Sequence, residues 1–209
     1  MLTNQFDIRL KERLVRKLSQ PLPGRRAQQQ FSHELSYGRH FGPMLRQSRV
    51  AAVLVLLRWD GQQWLLPMTK RSPGGIHSGQ ICFAGGGLEA GETPVDAALR
   101  ECEEETGWCP GASEVLGNMS PIYVYASNNY VNVVVAATQA DPDWSPDARE
   151  VAELIEVPLQ AICTDDATHF TTIERLGYQS RARCFRWQQY SIWGATSMIL
   201  SELKSIILS

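Results

Sequence analysis

The chain has 209 residues, enough to bury one sizeable core, and reads as a single domain with a few decorations. It is 44% hydrophobic and 20% charged with a formal net charge of −2, which argues against low complexity and against a nucleic-acid or anionic-membrane surface. An anionic substrate would have to be met by a local patch or a metal. The five cysteines (Cys82, Cys102, Cys109, Cys163, Cys184) contain no CxxC pair, and the start MLTNQFDIRLKERLVRK has no apolar h-region, so no zinc site or secretory signal is expected. The apolar run Val50–Leu57 is too short to span a bilayer. The expected setting is reduced and cytoplasmic.

Phe6, Leu10, Leu14 and Leu18 recur at helical spacing with basic residues between them, predicting an amphipathic helix over 6–19. PLPGRR ends it, and 22–47 reads as an irregular arm packed on the domain or on a partner subunit, with a homodimer as one arrangement. Val50–Trp59 and Trp64–Lys70 form a hairpin across Asp60-Gly61, with Pro67 either weakening the second strand or placing it at a sheet edge. Gln80–Phe83 is a short strand leading into Gly85-Gly86-Gly87, and Thr93–Thr106 is a helix. Strands are predicted at Ile122–Ala126, Tyr130–Thr138 and Val151–Val157, with a short helix at Leu159–Ile162. His169–Arg175 pairs with Arg183–Trp187 across Gly177, and a last helix runs from Gly194 to about Leu208. Trp187, Trp193, Ile199, Leu203 and Ile206 read as core, and Asn128-Asn129 as turn. Interleaved elements joined mostly by hairpins make the fold mixed α/β, with a mixed sheet between helices.

The chemistry concentrates in the predicted helix. Thr93 is a good N-cap, Pro94 suits the first helical position and Gly107 can take the left-handed position after the last turn. Val95, Ala98, Leu99 and Cys102 make a buried stripe. At about 100° per residue, Glu101, Glu104 and Glu105 fall on one flank of it, with Glu103 nearly opposite. An acidic run on a helix is usually a solvated face. Here it follows a Gly-rich turn, and Glu92 can fold back onto Arg100. Packed carboxylates also suit a hard divalent cation, which prefers carboxylate oxygens, water and phosphate.

The whole segment, GGLEAGETPVDAALRECEEETGW (Gly86–Trp108), resembles the Nudix box, G-x5-E-x7-R-E-U-x-E-E-x-G-U with U a bulky apolar residue. Gly86, Glu92, Arg100, Glu101, Glu104, Glu105, Gly107 and Trp108 match, with Cys102 at the first U. The resemblance implies an α/β/α sandwich with a catalytic loop–helix–loop, residues 48–209 as the hydrolase domain and 1–47 as the arm. It also implies hydrolysis of a nucleoside diphosphate linked to another moiety, with Mg²⁺ or Mn²⁺ as cofactor. Glu101 and Glu105 would hold the metal, Glu104 would assist, and Gly86, Glu92, Arg100 and Gly107 would be structural. The cation would acidify a water for in-line attack on phosphorus, and Glu101 or Glu104 could take its proton. Glu150 and Glu153 are candidates for an acid outside the box, although either residue alone reads better as an exposed charge beside a strand.

Upstream, TKRSPGGIHSGQICFAGGG (Thr69–Gly87) is similar to the extra motif of coenzyme A diphosphatases in this family, roughly LLTxRSxxxRxxxGxxxFPGG. Thr69, Arg71, Ser72, Gly79, Phe83, Gly85 and Gly86 match; the spacer before Gly79 is one residue short, its Arg is missing, and Ala84 replaces Pro. The resemblance implies cleavage of coenzyme A into 3′,5′-ADP and 4′-phosphopantetheine. Lys70 and Arg71, with Arg46 or Arg49, would meet the phosphates, and His77, Ser78 and Gln80 would supply donors. The alternatives are another small nucleotide substrate such as ADP-ribose and a non-catalytic nucleotide-binding module. The second normally goes with loss of box carboxylates, and all are present.

Overall fold

A computed structural model describes residues 6–32, 48–74, 78–175 and 178–209 of the chain. The elements in order are α1 (Leu10–Leu18), α2 (Arg25–Gln28), β1 (Arg49–Trp59), β2 (Trp64–Arg71), β3 (Ile81–Cys82), β4 (Gly85–Gly87) and α3 (Pro94–Thr106). After these come β5 (Val115–Val124), β6 (Asn129–Thr138), β7 (Val151–Pro158), α4 (Leu159–Cys163), β8 (Thr168–Arg175), β9 (Tyr178–Trp187), β10 (Tyr190–Ile192) and α5 (Ala195–Leu208).

β1 explains the architecture. Its sequence is a continuous apolar run because both of its faces are covered. Ala52, Leu54 and Leu56 point to one side, where Ala97, Ala98 and Cys102 of α3 pack on them. Val55 and Leu57 point to the other, into the larger core shared with α1 and α5. β1 runs parallel to β6 over ten residue pairs and antiparallel to β2 and β4, so the seven-stranded sheet is mixed. β5 flanks β6, while β7 and β3 flank β2. A second antiparallel sheet, β10-β9-β8, closes the larger core. With helices on both faces, the fold is the expected α/β/α sandwich.

Residues 6–32 pack on the domain itself. Phe6, Leu10, Leu14 and Phe31 are buried in the larger core, each stabilising by about 1.5–3 kcal/mol relative to exposure. The segment after α1 is held by Glu202 of α5, fully buried, which accepts from the Gly24 amide at 3.0 Å and Gln28 Nε2 at 2.8 Å. That side-chain clip organises α2 where the sequence reads as irregular. Residues 33–47, with Arg46, lie outside the described residues.

Three other expectations change. Pro67 is not at an edge: β2 pairs with β7 on one side, while on the other β1 stops at Leu65 and β3 begins at Thr69. Pro67 sits in the gap between those two ladders. β5 starts at Val115 rather than Ile122, because register shifts between Val115 and Gly117 and between Met119 and Ile122 absorb residues that look like strand breakers. Asn128 takes the left-handed conformation in the turn that follows, where Tyr123 donates to its side chain at 2.9 Å. β10 is a short hairpin partner with too few residues to show a period.

Candidate active site

The site is assembled by β2, β4, α3 and the loop before β7. Thr93 caps α3 in a reciprocal box: its hydroxyl accepts from the Asp96 amide at 3.2 Å, and Asp96 accepts from the Thr93 amide at 3.0 Å. At the other end Gly107 is left-handed with φ 76°, and its amide donates to the Glu103 carbonyl at 2.8 Å. The loop before β7 is tied to this terminus, with the Ser145 and Asp147 amides donating to the Thr106 and Glu105 carbonyls at 2.9 and 3.1 Å. The same loop reaches β2 through the Ser72 amide, which donates to the Glu150 carbonyl at 2.8 Å. Glu150 is thereby fixed opposite α3.

The buried face of α3 comprises Ala97, Ala98, Cys102, Glu105 and Thr106, rotated from the expected stripe so that Glu105 lies inside it. Val95 and Leu99 are only partly buried. Glu105 is 2% exposed, and its Oε2 has no hydrogen-bond partner among the described residues. Burial pushes its pKa up to about 7; the Glu150 and Glu101 charges add to the rise, while the Arg71 guanidinium and the Gly85 amide oppose it. Glu101 lies under Gly86, where a Cβ would come within 2.3–2.5 Å of its carboxylate. Glu104 is 58% exposed at its side chain, and Glu103 points away toward Cys109.

Arg100 organises the acids beside it. It donates to both oxygens of Glu92 at 2.7 and 3.1 Å, to Glu101 and Glu104 at 2.9 Å each, and to the Gly87 carbonyl at 3.0 Å. The Arg100 hydrogen bond holds the Glu92 carboxyl below the usual range, as does the Glu89 amide. The expected Glu92 contact is present, but the reach to Glu101 and Glu104 does not follow from sequence spacing.

The residues expected to bind substrate are split by strand alternation. Arg71 points toward α3, 3.5 Å from Glu105 and 3.7 Å from Glu150. Lys70 points to the other face of the sheet, 3.8 Å from Glu153, which also accepts from the Tyr190 hydroxyl. Of the two outside acids, then, Glu150 faces the cluster and Glu153 does not. The Ser78 hydroxyl accepts from the Gly74 amide at 3.4 Å, and the Gln80 carbonyl accepts from the Arg71 amide at 3.0 Å. Arg49 opens β1 at an exposed position. His77 lies outside the described residues. Sequence reading missed Cys82, whose thiol is 3.4 Å from the Thr69 hydroxyl and is pushed up by burial and by the Glu105 charge, with Thr69 and Arg71 opposing the rise.

The fold recurs in a solved structure. A MutT/nudix family protein from Enterococcus faecalis superposes with a TM-score of 0.55 over 98% of this chain and 76% of that one, at 14% identity, a likeness of fold. The family model for the NUDIX domain matches residues 47–176. The chain belongs to the Nudix family. Relatives in it include two proteins named uncharacterized Nudix hydrolase NudL. One, from Escherichia coli O7:K1, is 36% identical over 157 residues, 74% of this chain and 81% of the relative. The other, from Enterobacter sp. strain 638, is 32% identical over 156 residues, 74% and 81%.

As a Nudix hydrolase the chain acts on pyrophosphate bonds, in a nucleoside diphosphate derivative, a small nucleotide substrate. Nudix hydrolases generally need a divalent metal such as Mg²⁺ or Mn²⁺. Among the described residues no three His, Cys, Asp or Glu side chains are drawn into a closed cage, since Glu101 and Glu104 turn to Arg100. The donor set nonetheless fits such an ion: all are hard carboxylate oxygens, and the buried Glu105 offers one with no partner. Among the described residues no helix is long and apolar enough to cross a membrane.

Proposed function

We propose that this Nudix hydrolase cleaves the diphosphate of coenzyme A or an acyl-coenzyme A to 3′,5′-ADP and the corresponding 4′-phosphopantetheine. Glu101, Glu104 and Glu105 hold the Mg²⁺ or Mn²⁺, and Glu150 joins them from the loop before β7. The observation that carries the metal assignment is the buried oxygen of Glu105, without a hydrogen-bond partner among the described residues and lying among Glu101 and Glu150. When bound, the cation supplies charge neutralisation on the diphosphate and acidifies a water. The chain's own residues do the rest. Gly86 leaves room for the Glu101 carboxylate, Arg100 orients Glu101 and Glu104, and one of these two accepts the proton of the attacking water.

The coenzyme A assignment is supported by the segment Thr69–Gly87, whose sequence resembles that of coenzyme A diphosphatases. Its two ends meet the acids, Arg71 beside Glu105 and Gly86 against Glu101. A second reading, hydrolysis of another nucleoside diphosphate derivative such as ADP-ribose, is favoured by Lys70, which turns to the far face and leaves fewer cations for a 3′-phosphate. Chromatography of products from coenzyme A, an acyl-coenzyme A and ADP-ribose, each with Mg²⁺, separates the two. Release of 3′,5′-ADP at the highest kcat/KM is expected; faster turnover of ADP-ribose selects the second reading.

A further inference from the structure

Two arginines neutralise the acid cluster, and they are held differently. Arg100 makes five hydrogen bonds of 2.7–3.1 Å and is locked by them. Arg71 only approaches its carboxylates, at 3.5 Å from Glu105 Oε1 and 3.7 Å from Glu150 Oε2, and its remaining partner among the described residues is the weakly accepting Cys82 thiol. Both distances exceed the roughly 2.7–2.9 Å of a charge-assisted hydrogen bond. Arg71 is also the last residue of β2, just past the point where the strand shifts register against β7. Its side chain is 34% exposed, so the guanidinium has a path outward.

We propose that Arg71 is a displaceable counter-ion, seated between Glu105 and Glu150 until a divalent cation enters, and then moved outward to meet the substrate's diphosphate. The inference rests on the metal-binding reading above. A guanidinium cannot shed its charge, so Arg71 and the metal compete for the same two carboxylates. Its seat is loose enough to be vacated, and its planar fork suits phosphate oxygens once freed. Arg71 therefore opposes metal binding in the free chain and favours substrate binding in the loaded one. Lys70, one residue earlier, faces the other side of the sheet and cannot take either role.

The test is Mn²⁺ binding to the full chain without substrate, read by electron paramagnetic resonance of the free ion. Arg71→Gln is expected to tighten Mn²⁺ binding by about five- to tenfold and to raise KM by a similar factor, while Arg71→Lys, which keeps the charge and loses the fork, is expected to bind Mn²⁺ like the parent and still raise KM. An Arg71→Gln chain that folds and binds Mn²⁺ no tighter overturns the proposal. If that variant fails to fold, the Nε signal of Arg71 in ¹⁵N-arginine-labelled parent, assigned with Arg71→Lys, must shift when Mg²⁺ is added; an unmoved signal overturns the proposal. A parent that binds no Mn²⁺, or binds it regardless of Glu105→Gln, overturns the metal reading as well. Binding sensitive to Glu105→Gln, without tightening in Arg71→Gln, overturns this inference alone.

Discussion

Glu105 carries the site's largest electrostatic tension. Its pKa is raised from the ordinary 4.5 to about 7, mainly by burial. Between those values the folded, metal-free chain holds a proton that the unfolded chain has released. Stability therefore falls as pH rises through that window and is level above it, a loss of up to about 3 kcal/mol. Glu105→Gln is expected to stabilise the metal-free chain at pH 8 by about 1–3 kcal/mol in denaturant unfolding, to lose that advantage when Mg²⁺ is added, and to lower turnover by orders of magnitude. Equal stability of both chains at pH 8 would remove the burial argument. The box spacing made Glu101, Glu104 and Glu105 legible as a group, but not their different surroundings. Burial of Glu105 and exposure of Glu104 depend on a small rotation of α3 on the sheet. Lys70 and Arg71 likewise read as one basic pair, because strand alternation separates them without revealing which face holds the acids.

At the scale of elements, the site depends on how closely α3 is approached at its two ends. Gly107 is left-handed, and a Cβ there would lie 2.7 Å from the Ser145 carbonyl. Gly107→Ala is expected to cost about 1–3 kcal/mol in thermal or denaturant unfolding and to loosen the loop that presents Glu150. At Gly86 the clash is with a movable side-chain end, the Glu101 carboxylate. Gly86→Ala should thus change stability by less than about 1 kcal/mol while lowering kcat tenfold or more, measured by steady-state kinetics beside a melt. Equal loss of stability and activity would contradict a site-specific effect. α3 itself was readable from Thr93, Pro94 and Gly107, because its caps are local in sequence. The start of β5 was not, since bulges conceal the strand period. β4 was not either: three glycines carry no pattern, and their strand exists only through β1.

Over the whole molecule, the mixed sheet between helices was legible because β1, β6 and α5 are apolar enough to require burial on more than one side. The course of the segment after α1 was not, since it depends on Glu202, some 170 residues away in the chain. Glu202→Ala would leave the Gly24 amide and Gln28 without their buried acceptor. It is expected to cost about 2–3 kcal/mol and to expose the segment after α1 to limited proteolysis, with little change in kcat once folded. The expectations for activity require that α3 and the loop before β7 hold one catalytic cation. Anomalous diffraction from crystals soaked in Mn²⁺ with a non-hydrolysable coenzyme A analogue tests it most directly. Density within bonding distance of Glu101 and Glu105 is expected, with Arg71 turned away from it; an empty acid cluster in analogue-bound crystals, or manganese bound elsewhere, would contradict the account.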